Sequence, residues 1–100
     1  SQLIFDVDLA RSQSEENPVY YIQMAHARMC GIFRVGEIDA ATVSADGVDL
    51  GVLAEPAEQE LVKQLLDFPA IVKGAADNLE PHRVAGWLLE TARAAHTWYH

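Results

Sequence analysis

The sequence predicts an all-α fold: an antiparallel bundle of about four helices, with a short extended segment at its start and a long acidic loop inside it. Three observations carry this. Pro18, Pro56 and Pro81 each head an apolar pattern, and proline suits the first helical position because its missing N–H would have no intrahelical partner there. Behind each proline, apolar residues recur at three- and four-residue steps, the period of a helix face. The longest stretch without such a stripe, residues 36–54, is acidic and contains glycines, a loop composition. At 100 residues the chain has the size of one domain with one core.

Taken in order, Leu3 to Ala10 begins apolar and alternates from Phe5 to Leu9, which predicts an extended segment with Asp6 and Asp8 along one solvated edge. Residues 1–16 thus read as a lead-in, with Arg11 to Glu16 as a polar connection. Asn17 is placed to cap a helix that opens at Pro18 and stops near Gly36. On this helix Val19, Ile22, His26, Met29 and Phe33 form the row expected to pack, with Tyr20, Met24 and Arg28 on a neighbouring row. Asp46-Gly47 is a hairpin-turn pair, but a two-stranded ribbon alone is marginal in water, so 42–50 is read as loop. A second helix runs from Pro56 to Phe68 through Leu61, Val62, Leu65 and Leu66. A third has Pro69 in its first turn and turns Ile71, Val72, Ala75 and Ala76 inward before Asp77-Asn78. The fourth follows Pro81, with Val84, Leu88, Thr91, Ala95 and Trp98 as one row and Trp87, Ala92 and Tyr99 beside it.

Composition removes several classes of function. Half the residues are hydrophobic and 22% are charged, which is not the composition of a disordered chain. No apolar run approaches the roughly 20 residues that span a bilayer, and the first residues lack a secretory signal, so a cytoplasmic location without membrane insertion is expected. Cys30 is the single cysteine, which leaves no internal disulfide and predicts a small buried hydrophobe inside the helix. His96 and His100 stand four apart, a spacing that suits two metal ligands, but no third ligand accompanies them and no metal site is expected.

The formal net charge of −8 runs against binding a polyanion, since phosphate affinity comes from clustered Lys and Arg. Its distribution matters more. Glu37, Asp39, Asp46, Asp49, Glu55, Glu58 and Glu60 fall within residues 36–60 with no basic residue among them. The helix from 17 to 35 carries only Arg28 and Arg34, and 81–100 carries Arg83 and Arg93 against Glu90. One face made from these two helices is therefore compatible with RNA.

The run Asn17-Pro18-Val-Tyr20-Tyr-Ile-Gln23-Met24-Ala25-His26-Ala-Arg28 resembles the helix that opens the C-terminal anticodon-binding domain of arginyl-tRNA synthetases, where the pattern reads roughly Asn/Gly-Pro-x-Tyr-x-x-Gln-Tyr-Ala-His-x-Arg. Met24 departs from it, standing where the family usually has Tyr. Phe5 to Ala10 resembles the family's preceding segment, and Glu80-Pro-His-Arg-Val-Ala85 continuing to Trp98-Tyr99-His100 resembles its next diagnostic helix. The resemblance implies that 17–100 is a partial helical anticodon-binding (DALR-type) domain, that 1–16 leads in from a catalytic portion, and that further helices follow in the parent enzyme. It implies tRNA-Arg and the catalytic domain as partners. The parent would join arginine to its tRNA using ATP and Mg, while these residues, which lack the His-Ile-Gly-His-like and Lys-Met-Ser-Lys-like signatures, would bind no cofactor and perform no chemistry.

Arg28 matches the family's anticodon-approaching Arg, and a guanidinium pairs with phosphate or lies flat on a base. Tyr99 is the expected stacking surface, a contact worth about 1–3 kcal/mol per base. Adjacent helix positions point about 100° apart, so one of Trp98 and Tyr99 is expected to pack and the other to face out. The resemblance, in which an aromatic is common at the Tyr99 position, implies Tyr99 as the base contact and Trp98 as core. Met24 offers an apolar surface to a base, and Tyr20 and Gln23 offer hydrogen bonds to RNA or to backbone. His26 is expected to be a hydrogen-bonded packing residue. The reading from another class is a helical protein-interaction or self-association module that uses the exposed Tyr, Trp and Met side chains.

Overall fold

A computed structural model describes residues 6–14 and 16–100 of the chain. Its helices are α1 (Val7–Arg11), α2 (Pro18–Val35), α3 (Pro56–Leu66), α4 (Phe68–Asp77) and α5 (His82–Tyr99). No strand occurs among the described residues.

The helix starts follow the local chemistry of their first turns. Asn17 Oδ1 accepts from the backbone N–H of Val19 at 3.1 Å, ahead of Pro18. The same side chain donates Nδ2 to the carbonyls of Ala10 and Ser12 at 3.1 and 2.8 Å, so one buried amide starts α2 and ties it to the end of α1. At α3 the Glu58 carboxylate accepts from the Glu55 N–H at 3.3 Å, the return half of a capping box. Both α2 and α4 end with a non-glycine residue in the left-handed region, Glu37 at φ 56° and Leu79 at φ 53°. Gly36 caps α2 with φ −77°, and the Ile38 N–H returns to the Phe33 carbonyl at 2.9 Å, so the turn needs its left-handed residue one place beyond the glycine.

Residues 7–11 are helical where the alternation of Phe5 to Leu9 suggested extension; the portion of that segment up to Phe5 lies outside the described residues. Asp6 caps this turn by accepting from the Leu9 N–H at 3.0 Å, and Asp8 in the first turn and Arg11 in the last suit the helix dipole. The two carboxylates are thus a cap and a first-turn charge, not the edge of a strand. The acidic segment is a loop, as expected, with two single 3-10 turns at Ala40–Thr42 and Leu50–Val52, each capped by an aspartate, Asp39 or Asp49.

Helix α5 is the spine: α2, α3 and α4 all pack on it, and α3 also touches α4. The buried apolar residues among those described are alanines: Ala25 of α2 against Ala92 and Ala95 of α5, with Tyr21, Ile22, Met29 and Leu61 around them, and Ala75 of α4. Small side chains let α2 and α5 approach closely but bury little area, and the radius of gyration of 16.1 Å exceeds the about 13 Å of a compact chain of this length. Leu65 and Leu66 remain exposed, the latter at 74%.

The packed face of α2 is rotated from the row suggested by its sequence. Val19 is 63% exposed and His26 is exposed, its ring beside the Cys30 sulfur at 3.7 Å, while Ala25 takes the inward position. Cys30 is likewise exposed, not buried. On α5 the inward residues are Ala92, Ala95 and His96. Trp98, expected in the core, is 37% exposed. On α4, Val72 and Ala76 face solvent although Ile71 and Ala75 do turn inward. A helix pattern fixes spacing, but which stripe packs depends on the neighbour, and here the neighbour demanded alanine.

Candidate nucleic-acid interface

The C-terminal half of α5 lies along the middle of α2, and this crossing brings Arg28 to Tyr99. The Arg28 guanidinium carbon stands 4.9 Å from the Tyr99 ring centroid, a cation–π contact, and the Tyr99 ring is 48% exposed. Tyr99 also meets the His100 ring edge-on, with centroids 5.8 Å apart.

Arg28 is held from the side. Its Nη1 lies 2.8 Å from His96 Nδ1 and 3.1 Å from His100 Nε2. A guanidinium nitrogen only donates, so both imidazole nitrogens accept, and the two hydrogens of Nη1 are thereby used. His96 Nε2 lies 3.1 Å from the Tyr21 carbonyl, which only accepts, so the His96 proton sits on Nε2. The Tyr21 and His96 rings are 4.4 Å apart at 55°. The two histidines that share metal-ligand spacing thus converge on a cation, and among the described residues no group of three or more His, Cys, Asp or Glu gathers around a metal-sized site.

Grooves flank Arg28 on both sides. One, about 560 Å³, is lined by Gln13, Ser14, Tyr20, Tyr21, Met24, Arg28, His96, Thr97 and His100. The other, about 670 Å³ and more apolar, is lined by Met24, Ala27, Arg28, Gly31, Ile32, Arg34, Val35, Gly36 and Tyr99. Met24 and Arg28 form the ridge between them. Of the residues singled out in the sequence, the structure sets Tyr20 beside Met24 and Arg28 in the first groove and Tyr99 beside them in the second, while Gln23 is exposed and lines neither groove.

The basic residues divide into paired and unpaired. Arg83 and Arg93 pair with Glu80 and Glu90, and Lys73 with Asp77. Arg28 and Arg34 have no carboxylate partner among the described residues, which is also true of Arg11 and Lys63 elsewhere, but here two such cations line one groove. The arrangement offers an aromatic face, an oriented guanidinium and a second cation beside it, the combination that stacks a base and pairs with the adjoining phosphate.

Sequence reasoning missed His96. Its role depends on a carbonyl at Tyr21 and a guanidinium at Arg28, both in another helix, and its only local signal is spacing to His100. Gln13 and Ser14 were read as connection and were likewise missed; Asn17 pulls that segment in against α2.

Comparison with known proteins identifies the family. The chain is 51% identical over 100 residues to an arginine–tRNA ligase of Geotalea daltonii, covering 99% of this chain and 18% of that protein. It is 48% identical over 100 residues to one of Moorella thermoacetica and 46% identical over 99 residues to one of Bordetella avium, covering 99% of this chain and 18% and 17% of theirs. The chain therefore spans less than a fifth of the length of these curated relatives. No solved structure matches it at comparable significance. The family model described as DALR anticodon binding domain matches residues 22–100, which include α3, α4, α5 and most of α2, and the chain belongs to that family.

Proposed function

We propose that the chain is the anticodon-loop recognition module of an arginine–tRNA ligase, with the α2–α5 face as its RNA site. The observation that carries the reading is Arg28, anchored along one edge by two imidazoles and set against an exposed Tyr99. Its Nε and Nη2 hydrogens have no protein acceptor among the described residues, so three donors remain for a phosphate or a base edge. Tyr99 supplies the stacking face, Met24 an apolar edge, and Tyr20 a hydroxyl in the adjacent groove. Gln23 is given only a peripheral contact on this reading. The parent would charge tRNA-Arg with arginine using ATP and Mg in a catalytic portion. The described residues do not fit either group, since no acidic or imidazole cluster gathers for a metal and the sequence has no phosphate-cradling glycine loop, so no chemical step is assigned to this chain. Among the described residues no helix is long and apolar enough to cross a membrane, and the reading places the parent in the cytoplasm.

The test is titration of tRNA-Arg into the chain at two salt concentrations, beside an anticodon-substituted tRNA and the Arg28→Ala variant. A preference for the native anticodon, weakened by salt and lowered by about 1.5–3 kcal/mol in Arg28→Ala, supports the reading. Equal binding of both tRNAs would remove anticodon recognition from it.

A second reading rests on a different surface. Leu50 and Leu53 from the acidic segment meet Val62 and Leu66 of α3 in an apolar groove of about 340 Å³. That groove suits a protein contact, either with the parent's catalytic portion or with a second copy. Sedimentation at high salt separates the two, because self-association through an apolar contact persists there.

A further inference from the structure

We propose that His96 is a positioning residue for RNA recognition: by accepting at Nδ1 from Arg28 while its Nε2 is fixed on the Tyr21 carbonyl, it presets the guanidinium against Tyr99 before any nucleotide arrives. The inference rests on the reading of this face as an RNA site and adds to it the group that orients Arg28.

The argument begins with burial. His96 is 9% exposed, the most enclosed imidazole among those described, and both of its ring nitrogens are used. A buried ring that donates to a helix carbonyl has its tautomer chosen for it, because the carbonyl needs the hydrogen on Nε2. Nδ1 is thereby left as an acceptor 2.8 Å from Arg28 Nη1. The chain from the Tyr21 carbonyl through the imidazole to the guanidinium links the backbone of α2 to a side chain of the same helix by way of α5. The Arg28 side chain is long and flexible when unrestrained, and a ligand that must first order it loses affinity to that entropy. Fixing one edge leaves the guanidinium carbon over the Tyr99 ring at 4.9 Å and the Nε and Nη2 hydrogens without a protein acceptor among the described residues. His100 takes the second Nη1 hydrogen at 3.1 Å and is exposed where His96 is buried, so it restrains Arg28 less.

Two substitutions divide the two bonds of His96. In His96→Asn the amide oxygen falls near the place of Nδ1 and keeps an acceptor for Arg28 while losing the reach to Tyr21. In His96→Gln the amide nitrogen reaches toward the place of Nε2 and keeps the donor to Tyr21 while losing the acceptor. The first arm uses no RNA. Nitrogen-15 NMR of the chain is expected to show His96 protonated at Nε2 and Arg28 Nη1 hydrogens slowed in exchange, with that slowing lost in His96→Gln and kept in His96→Asn. A proton on Nδ1, or unchanged Arg28 exchange in His96→Gln, overturns the proposal. The second arm titrates tRNA-Arg, where His96→Gln is expected to weaken binding about tenfold and His96→Asn by less than about threefold. In the Arg28→Ala background His96→Gln is expected to add nothing further. The reverse ranking, with Asn the weaker binder, assigns His96 to holding α5 on α2 and overturns the positioning role. If the expected NMR pattern holds in a chain that does not bind tRNA-Arg, the recognition reading fails while the restraint of Arg28 stands. Circular dichroism shows whether each variant is folded, and His96→Gln, which keeps the tie to Tyr21, carries the decision if His96→Asn does not fold.

Discussion

At the N-terminal half of α5, Trp87 lays its ring against Phe68 with centroids 4.4 Å apart and donates its indole N–H to the Gln64 carbonyl at 2.7 Å. That carbonyl lies in the last turn of α3, where no intrahelical N–H remains to meet it, so Trp87 packs and caps at once. At the C-terminal end of the same helix, Tyr99 is half exposed, its neighbours are Arg28 and His100, and its hydroxyl has no hydrogen-bond partner among the described residues. The two aromatics differ in whether the polar handle is already used. Where it is used, the ring holds helices together; where it is free and a cation stands over the ring, the surface is still available to a ligand.

The largest effect should come from the first of these. Trp87→Ala is expected to lower unfolding stability by about 3 kcal/mol in a denaturant titration, because it opens a cavity at Phe68 and leaves the Gln64 carbonyl unpaired. Tyr99→Ala should cost about 1–3 kcal/mol in tRNA-Arg affinity while moving the unfolding midpoint little, since the ring is half exposed. Tyr99→Phe sharpens this, for retained affinity assigns the contact to stacking and lost affinity assigns it to the hydroxyl. A collapse of Tyr99→Ala stability comparable to that of Trp87→Ala would erase the distinction between the two ends.

Between them lies Thr91, whose Oγ1 is buried without a hydrogen-bond partner among the described residues. Thr91→Val keeps the shape and removes the desolvated hydroxyl, so a gain of about 1 kcal/mol is expected by thermal melting. The smallest effect concerns Glu80, just ahead of α5. Its hydrogen bond with Arg83 holds its carboxyl below the usual carboxylate value, aided by the charges of Arg83 and His82 and opposed by partial burial. A folded value lowered in this way gives a contribution present above the unfolded carboxylate value and lost as pH falls through the folded one. Glu80→Gln should therefore lower stability slightly at neutral pH, where the contribution is present, and converge with the natural sequence on the acid side, where the carboxyl is protonated and the contribution is already lost.

The helix starts were legible because they are written in contacts one to three residues long: Asn17-Pro18, Glu55-Pro56 with Glu58, and Pro81 ahead of α5. The long acidic loop was legible for the same reason, from the absence of a stripe. The rotation of α2 was not, because Val19 and His26 fit a helical row as well as Ala25 does until the close approach of Ala92 and Ala95 selects the smallest side chain. Segment 7–11 misled because an alternation of a few residues is also compatible with one helical turn, and Asp6 decided it. At the candidate site, the Met24–Arg28 ridge with Tyr20 on one side and Tyr99 on the other followed from the resemblance and from helical spacing. The Trp98–Tyr99 choice rested on one ring packing and one facing out, whereas both are accessible. His96 required knowledge of which carbonyl of α2 would lie beside it, a fact of the crossing and not of either helix.

The acidic loop begins immediately beyond Gly36, which lines the second groove, and carries Glu37, Asp39, Asp46 and Asp49 with no basic residue before α3. For an approaching polyanion this is a fence as well as a loop. At physiological ionic strength charges act over about 8 Å, so on the proposed reading RNA would be turned back along that side and admitted where Arg28 and Arg34 stand. Added salt shortens the reach of the fence and also loosens the phosphate contacts. Encounter and escape should then both quicken as salt rises, a kinetic signature opposite to that of a wholly basic binding surface, whose encounter slows.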